Sequence, residues 1–419
     1  MIRYAQALEL ILQASPAAVA ERCAASMAMK RVLAAPVSSP QALPPFDNAA
    51  LDGYALPAGD FPAGAEFAVQ GRHAAGGGIV AATGDVVWEV TTGARMPRGL
   101  STVAPLEQVE VLSHDLAGEP ARIRLRSPAW HCRHVRRIGE DVAAGKKVLG
   151  ASTWVREQQL MLLSALGIAH VDVARRPRVA VIGTGRELVD DPARPLGDGQ
   201  IRNANGPYLH ARTMAAGAEL VHAETVTDEA AAWHGAMRRA ATADAEVIVS
   251  TGAVSCGRHD FVPAALAEQG AQVLFRTVAI RPGKPSLFAR LSNGALYFGL
   301  PGNPAACAAG WRFFVEPALR AMLGLPPEAA CRLPLTVASC GHRAGLRHHL
   351  KGRVAMGADG RCTVSALAGQ ESFRILSLAQ ANAWLVLPEE NTDPRVGEPV
   401  QVHSLGHEQP LIGTDAWHG

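Results

Sequence analysis

The feature that most constrains this sequence is a rhythm that begins at Arg178. Residues 178–182 form an apolar run that stops at Gly183-Thr184-Gly185, residues 205–216 have helical spacing, and residues 219–222 read as a strand. Residues 229–241 are Ala-rich and helical, 246–250 form a buried strand, and 260–269 are helical again. Strands alternating with helices in this order predict a multidomain α/β protein built on a doubly wound, mostly parallel sheet. Ligands of such sheets collect at the carboxyl ends of the strands, where the glycine-rich turns lie. Neither turn has G-x-G-x-x-G spacing or a P-loop, which excludes dinucleotide and Walker-type readings.

The flanks have a different texture. After about Val37 the chain is rich in Pro, Gly and short β-type runs (67–69, 86–90, 123–125), a small β-rich domain ending near Arg137. Leu323-Gly324-Leu325-Pro326-Pro327 reads as a linker, and runs at 333–337, 353–356, 363–366 and 383–387 predict a small C-terminal β domain. Gly76-Gly77-Gly78 reads as a flexible hairpin loop. The first 23 residues read as a helix on the α/β domain, and residues 139–174 as the closing part of a discontinuous domain. The expected divisions are 1–23 with 175–325, 24–43 with 139–174, 44–138, and 326–419.

Composition narrows the function. Hydrophobic residues make up 48% and charged residues 19%, which suits a globular protein with a sizeable core. A net charge of +2 supplies no global basic field and argues against a nucleic-acid binder. The seven cysteines are scattered with no C-x-x-C pair, as fits a reducing cytosol. No apolar run approaches the ~20 residues that span a bilayer, and the charged start does not read as a signal peptide. The expected location is cytoplasmic, away from any membrane.

Five segments carry candidate chemistry, and each also has a plain structural explanation. Phe46-Asp47-Asn48-Ala49-Ala50-Leu51-Asp52-Gly53-Tyr54-Ala55 sets two aspartates in a proline-led loop, where turn chemistry would use the same residues. Thr92-Gly93-Ala94 follows a strand and could bring backbone N–H groups to an oxyanion, or simply end the strand. Arg133 to Asp141 runs four basic residues into an acidic pair, a pattern for an anion beside a metal or for a solvated charge run. The loops holding Glu187, and Gly252, Ser255 and Asp260, put small residues between a strand end and a helix, where backbone donors favour phosphate or carboxylate. Asp228 lies on the same rim, either functional or a helix N-cap. Most distinctive is Arg281-Pro282-Gly283-Lys284-Pro285 with Gly299-Leu300-Pro301-Gly302-Asn303-Pro304. Two cations three apart on a stiff turn suit phosphates or an oxyanion. The histidines and cysteines lack the paired four-ligand spacing of a zinc site.

In these segments the sequence resembles the molybdopterin molybdenumtransferase family, which includes the bacterial MoeA proteins and the E domain of gephyrin. Residues 46–55 resemble its FDNSAMDGYA, Thr92-Gly93-Ala94-x-x-Pro97 its TGAPxP, and Arg137-x-Gly139-Glu140-Asp141 its RxGED. Pro282-Gly283-Lys284-Pro285 and Gly299-Leu300-Pro301-Gly302-Asn303-Pro304 are intact, and the match runs in order along nearly the whole chain. The resemblance implies an elongated homodimer of four-domain subunits with an active-site cleft shared by two chains. It implies Mg²⁺ as cofactor, adenylylated molybdopterin and molybdate as ligands, and AMP as a product of the last step of molybdenum-cofactor synthesis. Carried over by position, Asp52, Asp141, Asp228, Asp260 and Lys284 are the catalytic candidates. Glu187, Asp228 and Asp260 are the metal candidates, and Thr92, Gly252, Ser255, Arg281, Pro301, Pro304 and Ser372 the substrate-binding ones.

Four departures alter the rim's charge. The family's GDEL is Gly185-Arg186-Glu187-Leu188, and its SGGVSxGExD has Arg258 in place of the acid. A lysine usual four residues before Arg281 aligns with Thr277, and the late QGSH is Gln370-Glu371-Ser372-Phe373. They motivate one alternative, a non-catalytic module that carries the cofactor or scaffolds partners; a second alternative, an ATP-dependent adenylyltransferase acting on the pterin, stands because related α/β domains do that work. Molybdate and tungstate, both tetrahedral dianions, are not distinguished by these residues.

Overall fold

Successive residues of the central strands point to opposite faces, and here both faces are covered. Val179, Val181, Val247 and Val249 enter one buried cluster with Ala7, Ile11, Leu209, Trp311 and Phe314, whereas Ala180, Ile182 and Ile248 enter another with Trp233, Ala236, Met237 and Leu266. This is why the strands read as unbroken apolar runs rather than alternating ones. The computed structural model describes residues 1–253, 261–337, 343–390, 394–409 and 411. The chain forms two compact units, Met1–Glu21 with Lys30–Ala34 and Asp172–Gly419, and Arg22–Met29 with Ala35–Val171.

In the first unit the elements run α1 (Tyr4–Ala14), β1 (Arg178–Thr184), α2 (Asn205–Ala215), β2 (Glu219–Val226), α3 (Ala230–Thr242), β3 (Val247–Thr251) and α4 (Val262–Glu268). They continue with β4 (Gln272–Phe275), β5 (Leu287–Arg290), β6 (Leu296–Leu300), α5 (Pro304–Gly310) and α6 (Glu316–Met322), a π-helical stretch Trp311–Val315 joining the last two. The sheet order is β2-β1-β3-β6-β5-β4. The first four strands are parallel, as expected from the βαβ rhythm. The β5 strand departs, running antiparallel to both neighbours. Its link to β6 is a short turn in which Asn293 Oδ1 accepts from the Ala295 N–H and Gly294 sits at φ +88°, a connection that forces the chain straight back.

The N-terminal helix is shorter than the 23 residues expected. Ser15 turns extended at ψ 129° while its hydroxyl bonds the Ile11 carbonyl, and Pro16 disfavours a helical Ser15. A second sheet in this unit runs Ile280–Arg281, Arg347–Met356, Ala383–Leu387, Pro399–Ser404, Cys331–Pro334, with Cys362–Ala366 on the second strand. The predicted C-terminal β runs all fall in or beside it, but its first strand comes from the α/β segment, Arg281 standing opposite His348.

The second unit holds a six-stranded sheet in the order Leu100–Pro105, Gly53–Pro57, Val86–Val90, Glu66–His73, Pro120–Leu125, Val109–His114. Glu66–His73 and Val86–Val90 are parallel neighbours, so the Gly76-Gly77-Gly78 segment belongs to a crossover and not to a hairpin. Gly76 does make a local turn at φ +84°, which satisfied the same residue signal. Among the described residues, no helix is long and apolar enough to cross a membrane.

Charge is buried where the helical face of the first unit meets its C-terminal sheet. Arg212 of α2 reaches both Glu316 of α6 and Glu408, and Arg312 reaches Glu316 and Glu328. Glu316 is wholly buried and also accepts the Trp311 indole N–H at 2.9 Å. A buried ion pair adds little against an apolar substitute, but loss of one partner strands the other charge. Glu316→Ala is therefore expected to destabilise the unit by about 3–5 kcal/mol, read as a lower urea midpoint. Burial alone would raise the Glu328 carboxyl, but His403 and Arg312 overcome it and hold the group at about 2. A folded-state value below the unfolded one gives stability that is present above pH 4.5 and is lost as pH falls toward 2. Urea midpoints of Glu328→Gln and the parent are expected to converge over that window.

Candidate active site

The switch point of the sheet builds the first part of the site. From β1 the chain turns to β2 on one side, and β3 lies on the other, so the loops after β1 and β3 diverge and open a crevice. Thr184 ends β1 and donates its hydroxyl to the carbonyl of Thr251, which ends β3, at 2.8 Å. Gly252 follows at φ +86°, and a Cβ there would lie 2.6 Å from the Thr184 carbonyl oxygen, so only glycine can close the two strand ends. The resulting cleft of about 560 Å³ is lined by Thr184, Glu187, Asn205, Thr251, Gly252 and Pro301 among others. The Glu187 carboxylate folds back over Gly185, whose Cβ, were one present, would be 2.6 Å away. Asp228, two residues past β2, accepts the Arg186 N–H at 2.9 Å, and the Arg186 guanidinium lies 4.0 Å from the same oxygen.

A cationic basin of about 450 Å³ shares Pro285, Pro301 and Asn303 with that cleft. Arg281, Lys284, Arg343 and Ser372 line it. Its loop is pinned from both ends, since Val278 N–H donates to the Lys284 carbonyl at 3.0 Å and the Ser286 hydroxyl to that of Gly283 at 2.7 Å. Pro304 opens α5, a place where a missing N–H costs nothing, and the next N–H, of Ala305, bonds the Ser372 carbonyl at 2.9 Å. Three exposed cations on stiffened backbone suit a tetrahedral dianion.

In the second unit three motifs converge. Asp47 binds the Arg137 guanidinium at 2.6 Å and the Ile138 N–H at 2.7 Å, and the Asp141 N–H donates to the Leu43 carbonyl at 3.0 Å. Asn48–Ala49 pairs with Val135–Arg136, and the Gly93 N–H donates to the Ala49 carbonyl at 2.9 Å. Asp52 accepts from both the N–H and the hydroxyl of Thr92, at 2.6 and 2.9 Å, and these bonds hold its carboxyl below the usual carboxylate range. Of the two aspartates in the first motif, Asp47 is thus a brace and Asp52 an exposed, ionised group, with Asp141 also exposed.

The structure therefore gathers Glu187, Gly252, Pro301, Arg281, Lys284, Pro304 and Ser372 around two adjoining hollows of one unit, with Asp228 on their rim. It gathers Asp52, Thr92 and Asp141 with their motifs in the other. Ser255 and Asp260 lie outside the described residues. Sequence reading missed Thr184, Thr251, Asn205 and Arg343. The threonines carry a signal, a hydroxyl as the last residue of a strand, whereas Arg343 has no local motif. Among the described residues no three His, Cys, Asp or Glu side chains are grouped to hold a metal. Glu187 and Asp228 present carboxylate oxygens just past the ends of neighbouring strands, the hard donors that Mg²⁺ prefers.

Three family models cover the chain in order. Residues 2–167 match the model of the MoeA N-terminal region (domain I and II), residues 180–321 that of a probable molybdopterin binding domain, and residues 341–405 that of the MoeA C-terminal region (domain IV). The molybdopterin molybdenumtransferase of Synechococcus elongatus is 31% identical over 97% of this chain and 100% of its own length. Molybdopterin molybdenumtransferase 2 of Mycobacterium tuberculosis is 33% identical over 89% of this chain and 92% of its own. The crystal structure of the molybdopterin biosynthesis MoeA protein of Pyrococcus horikoshii OT3 superposes with a TM-score of 0.77 at 26% identity, covering 96% of this chain and 99% of that one. With motifs, fold and all three regional models in agreement, the chain belongs to the MoeA family of molybdopterin molybdenumtransferases.

Proposed function

We propose that this chain inserts molybdenum from molybdate into adenylylated molybdopterin with release of AMP, in a Mg²⁺-dependent last step of molybdenum-cofactor synthesis. The observation that carries the reading is the shared wall of the two hollows, which lets an oxyanion and a larger phosphorylated ligand lie side by side. Arg281, Lys284 and Arg343 hold the dianion, and the backbone of Gly252 and Pro301 with Thr184 and Thr251 receives the pterin and its phosphates. Holding both reactants in adjoining hollows converts an encounter of two solutes into a step within one complex. Glu187 and Asp228, with Asp260, would hold Mg²⁺. When bound, Mg²⁺ would supply positive charge against the phosphoanhydride and the leaving AMP. Asp52, kept ionised by Thr92, and Asp141 are assigned to the same reaction by the motifs that carry them. The reading includes a homodimer with a shared cleft and a cytoplasmic location, which the five described free cysteines suit.

Purified chain, adenylylated molybdopterin, molybdate and Mg²⁺ are expected to release AMP in proportion to molybdenum found in the pterin product, and chelation of Mg²⁺ to stop the release. Full binding of the pterin without AMP release would assign the chain to a carrier role instead. Consumption of ATP on unadenylylated pterin would assign it to the adenylyl-transfer step. Lys284→Ala removes one charge-assisted contact and is expected to raise the KM for molybdate about tenfold or more. An unchanged molybdate KM would remove Lys284 from the oxyanion site. Light scattering is expected to give twice the 44.0 kDa chain mass.

A further inference from the structure

Two asparagines outside the motifs that carry the family reading brace the switch-point cleft, Asn205 as part of its lining and Asn203 in the lining of a neighbouring hollow. Between β1 and α2 the chain forms a two-stranded parallel ribbon, Leu188–Val189 against Ile201–Arg202, and then returns to the sheet at Asn203. Asn203, 9% exposed, uses both of its side-chain donors and its side-chain acceptor. Its Nδ2 donates to Asp190 Oδ1 at 2.8 Å and to Thr225 Oγ1 at 3.0 Å, while its Oδ1 accepts the Gly206 N–H at 2.9 Å. The Thr225 hydroxyl closes the triangle on Asp190 Oδ1 at 3.0 Å. This hub accounts for two glycines, because a Cβ at 206 would fall 2.8 Å from Asn203 Nδ2 and one at 183 would fall 3.1 Å from Thr225 Oγ1. Asn205 stands at the start of α2, lines the cleft, and donates from Nδ2 to the Gly302 carbonyl at 2.7 Å, in the turn after β6.

One asparagine thus fastens the ribbon to β2, and the next fastens α2 to the opposite lip of the cleft. We infer that Asn203 and Asn205 are positioning residues that fix the width of this cleft for the pterin, and not for the oxyanion. The division follows from placement, since Asn205 lines the cleft and not the cationic basin, although the two hollows share Pro285, Pro301 and Asn303. The inference rests on the proposed function and extends it by naming the residues that set the width of the pterin's hollow. The Asn205 amide ties the start of α2 to the turn after β6, so a ligand wider or narrower than the gap must break a bond made in the empty cleft.

Asn205→Asp replaces the donor with an oxygen that repels the Gly302 carbonyl. It is expected to raise the KM for adenylylated molybdopterin about tenfold, the cost of one lost hydrogen bond, while the molybdate KM and the thermal midpoint stay near those of the parent. Asn203→Asp sets two carboxylates against each other, and a proton shared between them would remake the bond. Its pterin KM is therefore expected to recover as pH falls from 7 to 5 and to approach the parent value, which a purely structural lesion would not do. Equal changes in both KM values, no change in either, or a pH-independent Asn203→Asp would overturn the inference. Fluorescence titration of the pterin onto parent and Asn205→Asp reads the cleft without turnover. Binding by the parent with equal affinity in the variant sinks the inference alone, whereas no binding by the parent sinks the functional reading as well.

Discussion

Once both faces of a sheet are covered, its strand ends are what remains to meet solvent, and the carboxyl ends of β1, β3 and β6 do so together. Everything chemically interesting in the first unit follows from that geometric restriction. The strand ends must approach closely enough for Thr184 to bond the Thr251 carbonyl, which leaves no room for a side chain at Gly252. The Gly252 N–H in turn bonds the Leu300 carbonyl at 3.1 Å, so three strand ends are tied in series before any ligand arrives. Preorganisation of this kind lowers the entropy lost when a ligand binds.

The ion network beneath α2 and α6 plays a complementary part. Arg212, Arg312, Glu316, Glu328 and Glu408 come from distant stretches of chain, and desolvated charges tolerate few alternative partners. An apolar interface would accept sliding between the helical layer and the segment carrying Glu408, whereas this one accepts only the register that matches each cation to its carboxylate. The specificity is bought with desolvation and returned as a fixed relation between the helices and the C-terminal sheet.

Much of this was legible in the residues. The α/β rhythm survives in linear order because each buried strand is a run of Val, Ile and Ala, and the predicted strand at 246–250 differs from Val247–Thr251 by one residue at each end. The motif residues were legible because their neighbours are stiff, as at Pro282-Gly283 and Pro301. Partner choice was not. Whether β5 runs parallel or antiparallel, whether Gly76 turns a hairpin or a crossover, and which strand accepts Ile280–Arg281 depend on residues far away in sequence. Asn203 escaped notice for a related reason, because its partners Asp190 and Thr225 lie 13 and 22 positions away and share no motif with it.

The short strand Ile280–Arg281 has a mechanical consequence. Arg281 is registered to the C-terminal sheet through His348, while Lys284, three residues on, is tied to Val278, which bridges to Ile2 of the N-terminal segment. The two cations are therefore mounted on different supports, and the gap between their charges is a readout of how those supports are seated. Evolution could retune the preferred anion radius by altering packing far from either cation, without touching a residue that meets the ion.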